Sequence, residues 1–471
     1  MTIQMEMQDK NLSKIESIKK EKPQSFDKPK KKFNYKKLII ILIILLVLSG
    51  IGFVVYKGYV LSKGIGFKLD SSSLLSREEP ELKKDSSGQL TNALIVGIDT
   101  RETGEEHSTD TIIVLSYNHS TNKALMISIP RDFNVEIGKN SGWYSRINAV
   151  YATAENKEEG TGLKALKETV EKVTDMEIQY YGMVDLKGFT KIVDAVGGID
   201  INVEKSFTDY LYPIGKSYKT VSFEAGPQTM NGTTALEYAR SRHSQQNNEG
   251  SDYARARRQQ KVIVALKDKV LSSDTLTDPR KILEIVESLA KNIKVSEFTI
   301  NDIEAGLKLA NKFNEQNGKI YSFVLDPTSG NYSLIEVKST EPYAIAPKEG
   351  LGKYTNIQEY LEKIMKEPAL YSEKPNIYVY DTGLGNTAVQ KKITEMKKEY
   401  PYINITFNGT LFKDKEGIAV YSNTEDYADS IDTLAKYLGT EQKTKPDYIT
   451  TKSGSTGVTI LLGKEVQLEK E

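Results

Sequence analysis

Residues 92–132, NALIVGIDTRETGEEHSTDTIIVLSYNHSTNKALMISIPRD, decide the fold. Three apolar runs stand out: ALIVGI (93–98), IIVLSY (112–117) and ALMISI (124–129). Each has strand length and is rich in β-branched residues. The turn-rich segment 118–123 is too short for a crossover, so the second and third runs are read as antiparallel neighbours. The first run ends at Asp99, and a loop of ten residues leads to Asp110, which opens the second. If the first two strands are adjacent, both carboxylates stand at one edge of the sheet. The third strand returns to that edge and delivers Pro130, Arg131 and Asp132. Any one of these acids alone reads as a solvated strand cap. Two acids and an arginine brought to one edge by three strand ends read as a site.

Downstream, amphipathic helical patterns fall near 163–173, 186–196 and 233–239, with a long one over 252–271 and others through 279–313. IYSFVL and YSLIEV read as a late hairpin around 327–331, and a helix near 356–366 closes the region. Mixed strands and helices over 92–366 indicate one α/β (mixed α+β) domain. Residues 367–375 read as a linker. After them NIYVY, a helix near 386–398, INITF, GIAVY, a helix near 424–438 and VTILLG make a separate small α/β domain over 376–464, with a polar insert at 441–456.

Upstream, residues 38–56 (LIIILIILLVLSGIGFVVY) carry no charge over nineteen positions, enough for one transmembrane helix. The positive region before it is too long, and the apolar stretch too extended, for a cleaved signal peptide. Lys28, Lys30, Lys31, Lys32, Lys36 and Lys37 crowd the N-terminal flank, so that side is cytoplasmic and everything after Lys57 lies outside the cell membrane. Residues 1–37 read as a disordered basic tail and 57–91 as a linker. Lys plus Arg equals Asp plus Glu at 64 each, so no electrostatic nucleic-acid binder is indicated. The absence of cysteine excludes disulfides, thiolate zinc sites and a cysteine nucleophile. The three histidines are far apart and show no metal spacing.

A second charged cluster lies in ALEYARSRH (235–243) and DYARARRQQ (252–260). Arg240 and Arg242, two apart, share a face if the chain leaves its helix and extends. Arg255, Arg258 and Gln259 share a helical stripe that Val262 and Leu266 continue. The bland reading is a salt-bridged surface helix in which Asp252 pairs with Arg255. Arginine forks at a helix start, facing strand-edge carboxylates, instead suggest a pocket for a polyanion. Paired carboxylates there suit Mg²⁺, with Mn²⁺ as the alternative. GLGNTA (383–388) fits a loose dinucleotide pattern, but no acid ends the next strand, INITF, so a tight strand-to-helix turn is the better reading.

At these residues the chain resembles the LytR–CpsA–Psr cell-wall proteins. The matching pieces are GIDTR (97–101), TDTIIV (109–114), SIPRD (128–132), RINAVYA (146–152), VDLKGF (184–189), VGGIDINV (196–203), ALEYARSRH and DYARARRQQ, in family order. NIYVYDTGLGN and GVTILLGKE weakly resemble the small C-terminal domain often appended to that family. The resemblance implies a central mixed sheet flanked by helices. It also implies a phosphotransferase that moves a glycopolymer from an undecaprenyl-pyrophosphate carrier to peptidoglycan through a phosphodiester. By the same resemblance Asp99 and Asp110 are the Mg²⁺ carboxylates, with Asp99 the favoured proton acceptor. Arg131, Arg240, Arg242, Arg255 and Arg258 form a pyrophosphate cage, with Gln259 as a polar companion. Asp252 orients Arg255, and the lipid occupies an apolar tunnel behind the arginines. Two positions depart from the pattern. Ser108 stands where the family often has Arg, with Arg101 as the candidate substitute, and Arg146 stands where Lys is common. A polyprenyl-pyrophosphate phosphatase and a non-catalytic lipid-linked glycan binder or regulator are the rival readings.

Overall fold

The structure, a computed structural model, describes residues 81–100, 107–270, 292–296, 300–316, 318–326, 334–340, 343–449 and 456–464. The expected membrane span 38–56, the basic tail, Arg101 and the expected turn at 327–331 lie outside the described residues.

Strands β1 (Leu90–Thr100), β2 (His107–Asn118) and β3 (Lys123–Ser128) come first, then the short β4 (Asn134–Glu136) and β5 (Tyr144–Arg146). Helices α1 (Asn148–Lys157) and α2 (Gly162–Thr174), strand β6 (Tyr180–Asp185) and helix α3 (Leu186–Ala195) follow. Next are β7 (Ile199–Val203), β8 (Phe207–Ile214), β9 (Ser217–Phe223) and β10 (Gly226–Met230), then α4 (Gly232–Arg240) and α5 (Asp252–Val270). Strand β11 (Ile293–Val295), helix α6 (Ile300–Glu315), strands β12 (Lys319–Val324), β13 (Ile335–Thr340) and β14 (Tyr343–Pro347), and helices α7 (Thr355–Lys366) and α8 (Pro368–Glu373) lead to the last region. That region holds β15 (Ile377–Asp381), α9 (Asn386–Glu399), β16 (Ile405–Thr410), β17 (Ile418–Ser422), α10 (Ala428–Leu438) and β18 (Val458–Leu462).

The main sheet has the order β11-β6-β1-β2-β3-β12. β1/β2, β2/β3 and β6/β11 are antiparallel, whereas β1/β6 and β3/β12 are parallel. The carboxyl ends of β1, β6, β3 and β12 and the start of β2 therefore share one edge. In α/β sheets ligands bind outside the carboxyl ends of parallel strands. Leu94, Val96 and Ile98 of β1 are buried at alternate positions, as a strand with one face on the core requires. Leu163, Leu166, Val170 and Val173 of α2 pack in the same cluster at helical spacing.

Four expectations are corrected. Residues 81–89 are not linker: Leu82 is buried, and Lys83 N donates to Tyr180 Oη at 2.9 Å. The late hairpin is absent among the described residues. β12 pairs with β3 almost two hundred positions upstream, and β13 pairs with β14. The linker at 367–375 is helix α8, with Pro368, Ala369, Leu370 and Tyr371 buried. The final sheet, β16-β15-β18-β17, is not a separate domain, because one hydrophobic cluster runs from Leu94 through Leu361 and Leu370 to Leu462. A linker reading failed at 367–375 because a short buried helix leaves too few turns to show a period.

Candidate active site

The expected strand edge assembles. Gly97 pairs with Thr111 and Ile98 with Thr109, which leaves Asp110 without a partner on β1. Such a bulge bends the strand and re-aims a side chain. Asp110 Oδ1 accepts from Arg131 Nη1 at 2.8 Å and from Ser108 Oγ at 3.3 Å. Asn148 Nδ2 donates to Ser108 Oγ at 3.2 Å, so the position where an arginine is commonly found carries a neutral hydroxyl relay instead.

Arg240 is the last residue of α4. At Ser241 the chain leaves the helix and turns extended, with ψ 134°. Arg240 Nη2 donates to Asp99 Oδ2 at 2.7 Å, and Asp99 is only 5 % exposed. The Arg240 guanidinium also lies 5.7 Å from the centre of the Tyr212 ring. The extended segment is locked by Asp209 of β8, which is fully buried. Its Oδ2 accepts from Arg242 N at 2.9 Å and His243 N at 3.3 Å, and its Oδ1 accepts from Leu211 N at 2.9 Å. His243 Nδ1 sits 3.7 Å from Asp209 Oδ1. No periodicity signals Tyr212 or Asp209; their partners lie about thirty positions away.

The first turn of α5 supplies the next layer. Arg255 Nη1 pairs with Asp252 Oδ1 at 3.1 Å, the partner expected from sequence. Asp252 Oδ2 also lies 3.7 Å from Arg131 Nε, and Arg131 Nε lies 3.4 Å from Asp132 Oδ2. Arg146 Nη1 reaches Asp132 Oδ1 at 3.3 Å. Asp132 and Asp252 are within hydrogen-bonding contact of each other, and they titrate in opposite directions. Burial and the neighbouring Asp252 hold Asp132 above the usual carboxylate range, against Arg131 and Arg146. Burial also works to raise Asp252, but Arg255 and Arg131 overcome it and hold it below that range. Burial works to lower Arg131, and Asp110, Asp252 and Asp132 more than offset it. Burial pushes Arg255 down despite Asp252.

Two nitrogens in this network, Arg131 Nε and Arg255 Nε, are buried without a hydrogen-bond acceptor among the described residues. Buried donors are rarely left so unless something else is to meet them. Asp99, Asp110, Asp132 and Asp252 pair with Arg240, Arg131, Arg146 and Arg255 respectively, and Arg242 follows in the extended segment after α4. The four pairs balance in charge, and the two unused Nε donors suit a bound oxyanion.

Arg258 does not join this group. It is 2 % exposed and spends its donors on structure. Nε donates to Tyr238 O at 2.9 Å and Nη1 to Glu249 O at 2.9 Å, while Nη2 donates to Ser241 O. Its guanidinium also pairs with the Glu249 carboxylate at 2.5 Å and stacks 4.7 Å from the Phe207 ring centre. Sixty degrees around the helix from Arg255 and a turn deeper, it meets the interior. Val262 belongs to the packed cluster of Phe207, Phe223 and Tyr238, and Leu266 packs against it, so this stripe closes a core. Gln259 is half-buried one turn beyond Arg255. Its neighbour Gln260, unremarked in the sequence, ties α5 to the sheet: Nε2 donates to Ser128 Oγ at 2.8 Å and Phe323 O at 2.9 Å.

The result is a mixed α/β fold with a network of arginine–carboxylate pairs at the carboxyl edge of its main sheet. The LytR_cpsA_psr family model matches residues 60–343, more than half of the chain, and the chain belongs to that family. Among curated relatives it is 31 % identical over 297 residues to Bacillus subtilis "Polyisoprenyl-teichoic acid--peptidoglycan teichoic acid transferase TagU", covering 62 % of this chain and 88 % of TagU. It is 32 % identical over 267 residues to TagV of the same organism, named as the same transferase, covering 55 % of this chain and 64 % of TagV. It is 31 % identical over 217 residues to "Biofilm regulatory protein A" of Streptococcus mutans, covering 44 % of this chain and about half (51 %) of that protein. The crystal structure of B. subtilis TagV aligns at 24 % identity over 59 % of this chain and 96 % of that one, with a TM-score of 0.43.

Proposed function

We propose that this protein transfers a glycopolymer from a polyprenyl-pyrophosphate carrier to peptidoglycan, forming a phosphodiester, at the outer face of the cell membrane. The observation that carries the reading is the Arg131–Arg255 pair. Arg255 is buried and Arg131 half-buried, both are held by carboxylates, and the Nε of each has no hydrogen-bond acceptor among the described residues, Arg131 Nε approaching Asp132 and Asp252 only to 3.4 and 3.7 Å. The transferase names of TagU and TagV support the class of reaction.

Transfer of a phosphoryl-linked glycan needs positioning and charge neutralisation more than covalent chemistry. Arg131, Arg255, Arg240 and Arg242 hold the pyrophosphate oxygens. A sugar hydroxyl of peptidoglycan attacks the glycan-linked phosphorus. The new P–O bond forms as the bond to the bridging oxygen breaks, and polyprenyl phosphate leaves with that oxygen and its electron pair. Asp99 and Asp110 are the acceptors at hand for the hydroxyl proton, with Asp99 favoured. Tyr212 and Asp209 hold Arg240 and the 241–243 segment in place.

The donor set fits a divalent ion. Two carboxylates on neighbouring strands, completed by phosphate oxygens and water, are the ligands Mg²⁺ takes, and Mn²⁺ accepts them too. Asp99 and Asp110 would hold it, and when bound it would neutralise charge on the phosphates.

The test incubates the purified full chain with Mg²⁺, a lipid-pyrophosphate-linked saccharide and peptidoglycan oligomers, with mass spectrometry of the products. A phosphodiester adduct lost in Asp99→Ala and Arg255→Met supports the transferase. Free sugar phosphate alone identifies a phosphatase. Retention of the lipid without turnover identifies a binding protein.

A further inference from the structure

The β8–β9 ribbon carries apolar surface that neither the fold nor the proposed chemistry uses. Tyr210, Leu211, Ile214 and Tyr218 are 62, 51, 53 and 64 % exposed. Four large apolar side chains clustered on one hairpin exceed the scattered exposure expected of a soluble surface. A register shift between Asp209 and Tyr212 throws Tyr210 and Leu211 outward, and Ile214 and Tyr218 flank the tip. The ribbon has three charged residues, of which Asp209 is fully buried. The remaining charges are Lys216 at the tip and Lys219. Tyrosine, aliphatic residues and lysine are the side chains that settle at a lipid headgroup boundary, with apolar bodies inward and polar ends in water.

Position makes the ribbon relevant. Tyr212, on its inner face, stacks under the Arg240 guanidinium that holds Asp99. Lys219, its cross-strand partner, pairs with Glu237 of α4. The tip stands two to three residues beyond that contact, roughly 10 Å at about 3.3 Å per residue. A second constraint comes from the chain itself. Between the end of the apolar span at Tyr56 and the first described residue, Glu81, lie residues 57–80. Even fully extended they reach no more than about 80–90 Å.

We propose that the tip of the β8–β9 ribbon inserts into the anionic lipid headgroup layer and sets the arginine site against the membrane surface. The proposal rests on the reading of a membrane-anchored protein acting on a lipid-linked substrate. It explains why an apolar ribbon is built directly onto the arginine that holds Asp99. A pyrophosphate whose polyprenyl chain lies in the acyl layer is itself at headgroup depth. A tip at that depth places Arg240 within about 10 Å of it. Lys216 at the tip faces anionic lipid, and Tyr210 and Tyr218 span the boundary.

The chain contains no cysteine, so single-cysteine labelling needs no background removal. The full chain carrying Tyr218→Cys, or Leu411→Cys as an exposed control just after edge strand β16 of the final sheet, is labelled with an environment-sensitive fluorophore. Each is reconstituted in phosphatidylglycerol–phosphatidylcholine vesicles, with and without lipids brominated on the acyl chain. The Tyr218 probe is expected to shift to the blue and to be quenched by bromolipid, while the Leu411 probe does neither. Ile214→Asp with Tyr218→Asp is expected to cut turnover of bilayer-embedded substrate roughly tenfold or more and to spare a short-chain, water-soluble analogue. A Tyr218 probe as water-exposed as the Leu411 probe overturns the proposal. So does a Tyr218 probe that responds to peptidoglycan fragments and not to lipid. Quenching is read without turnover, so a docked ribbon on a protein that transfers nothing would sink the transferase reading and leave this one standing.

Discussion

Two arginines three residues apart on α5 should fail in opposite ways. Arg258→Met removes the cation that ties Tyr238 O, Ser241 O, Glu249 O and the Glu249 carboxylate together. Methionine fills much of the volume and satisfies none of these acceptors. Stranding one partner of a buried ion pair costs about 3–5 kcal/mol. At roughly 2–4 °C per kcal/mol for a domain of this size, the melting temperature should fall by about 6–20 °C. Arg255→Met is different. Its carboxylate partner, Asp252, keeps Arg131 beside it. Its loss should change stability by no more than about 1–2 kcal/mol. Transfer, however, should fall about 10²–10³-fold, the usual result of removing one donor aimed at developing charge. Circular dichroism melts of both variants, and transfer assays well below either melt, separate the two effects. If Arg258→Met melted like the unaltered protein and lost transfer, the division of labour argued from the donors would be wrong. It would also fail if Arg255→Met lost stability and kept its rate.

Three further outcomes follow from the same geometry. A Cβ at Gly232 would overlap the carbonyl oxygen of Thr190, so Gly232→Ala must push α4 from α3. A loss of about 1–3 kcal/mol is expected by denaturant titration, with transfer reduced because Arg240 ends that helix. Asp209→Ala orphans the N–H groups of Leu211, Arg242 and His243, at about 1–3 kcal/mol for each one left unsatisfied. Asp209→Asn, which keeps one carbonyl oxygen, should recover part of both stability and rate. His119 lies far from the site, bonded to Thr91 Oγ1 at 2.8 Å, and burial, helped by Lys84 and Lys312, pushes it down to about 4. Its folded value lies below the ordinary 6.5, so the unfolded chain binds the extra proton first. Stability should therefore fall as pH drops from about 6.5 to 4 and level off below that. The half-exposed ring limits the loss to about 1–2 kcal/mol. Urea midpoints across that range should flatten in His119→Gln.

The strands that bring Asp99, Asp110 and Arg131 together were legible because their signals are local. β1 to β3 are apolar runs joined by short connections, and antiparallel return forces their ends to one edge. The helices α2 to α5 were legible from their period, and Arg255 with Asp252 from helical spacing. Contacts between distant segments were not. β12 is an ordinary apolar run, and nothing within it says that Lys319 will stand opposite Lys123. Residues 199–230 alternate too irregularly to announce two ribbons, so Tyr212 and Asp209 stayed hidden. Helical spacing put Arg258 on the stripe of Arg255 correctly. It could not show that Tyr238, Glu249 and Phe207 would occupy the space beyond.

The charges at the sheet edge also explain why so many acids sit in a site built to hold an anion. Each guanidinium at this low-dielectric edge needs a partner, and the fold supplies one for each: Asp99 for Arg240, Asp110 for Arg131, Asp252 for Arg255 and Asp132 for Arg146. These pairs hold the guanidiniums in place before substrate arrives, which lowers the ordering cost of binding. In the proposed reaction an incoming pyrophosphate offers a stronger, bidentate partner to the same forks. As Arg131 and Arg240 turn toward it, Asp110 and Asp99 lose their positive neighbours. Anion binding would then free both carboxylates from their arginine partners, in one exchange of partners. The arginines and acids were placed by different segments of sequence, yet neither half of the network would be stable at this edge without the other.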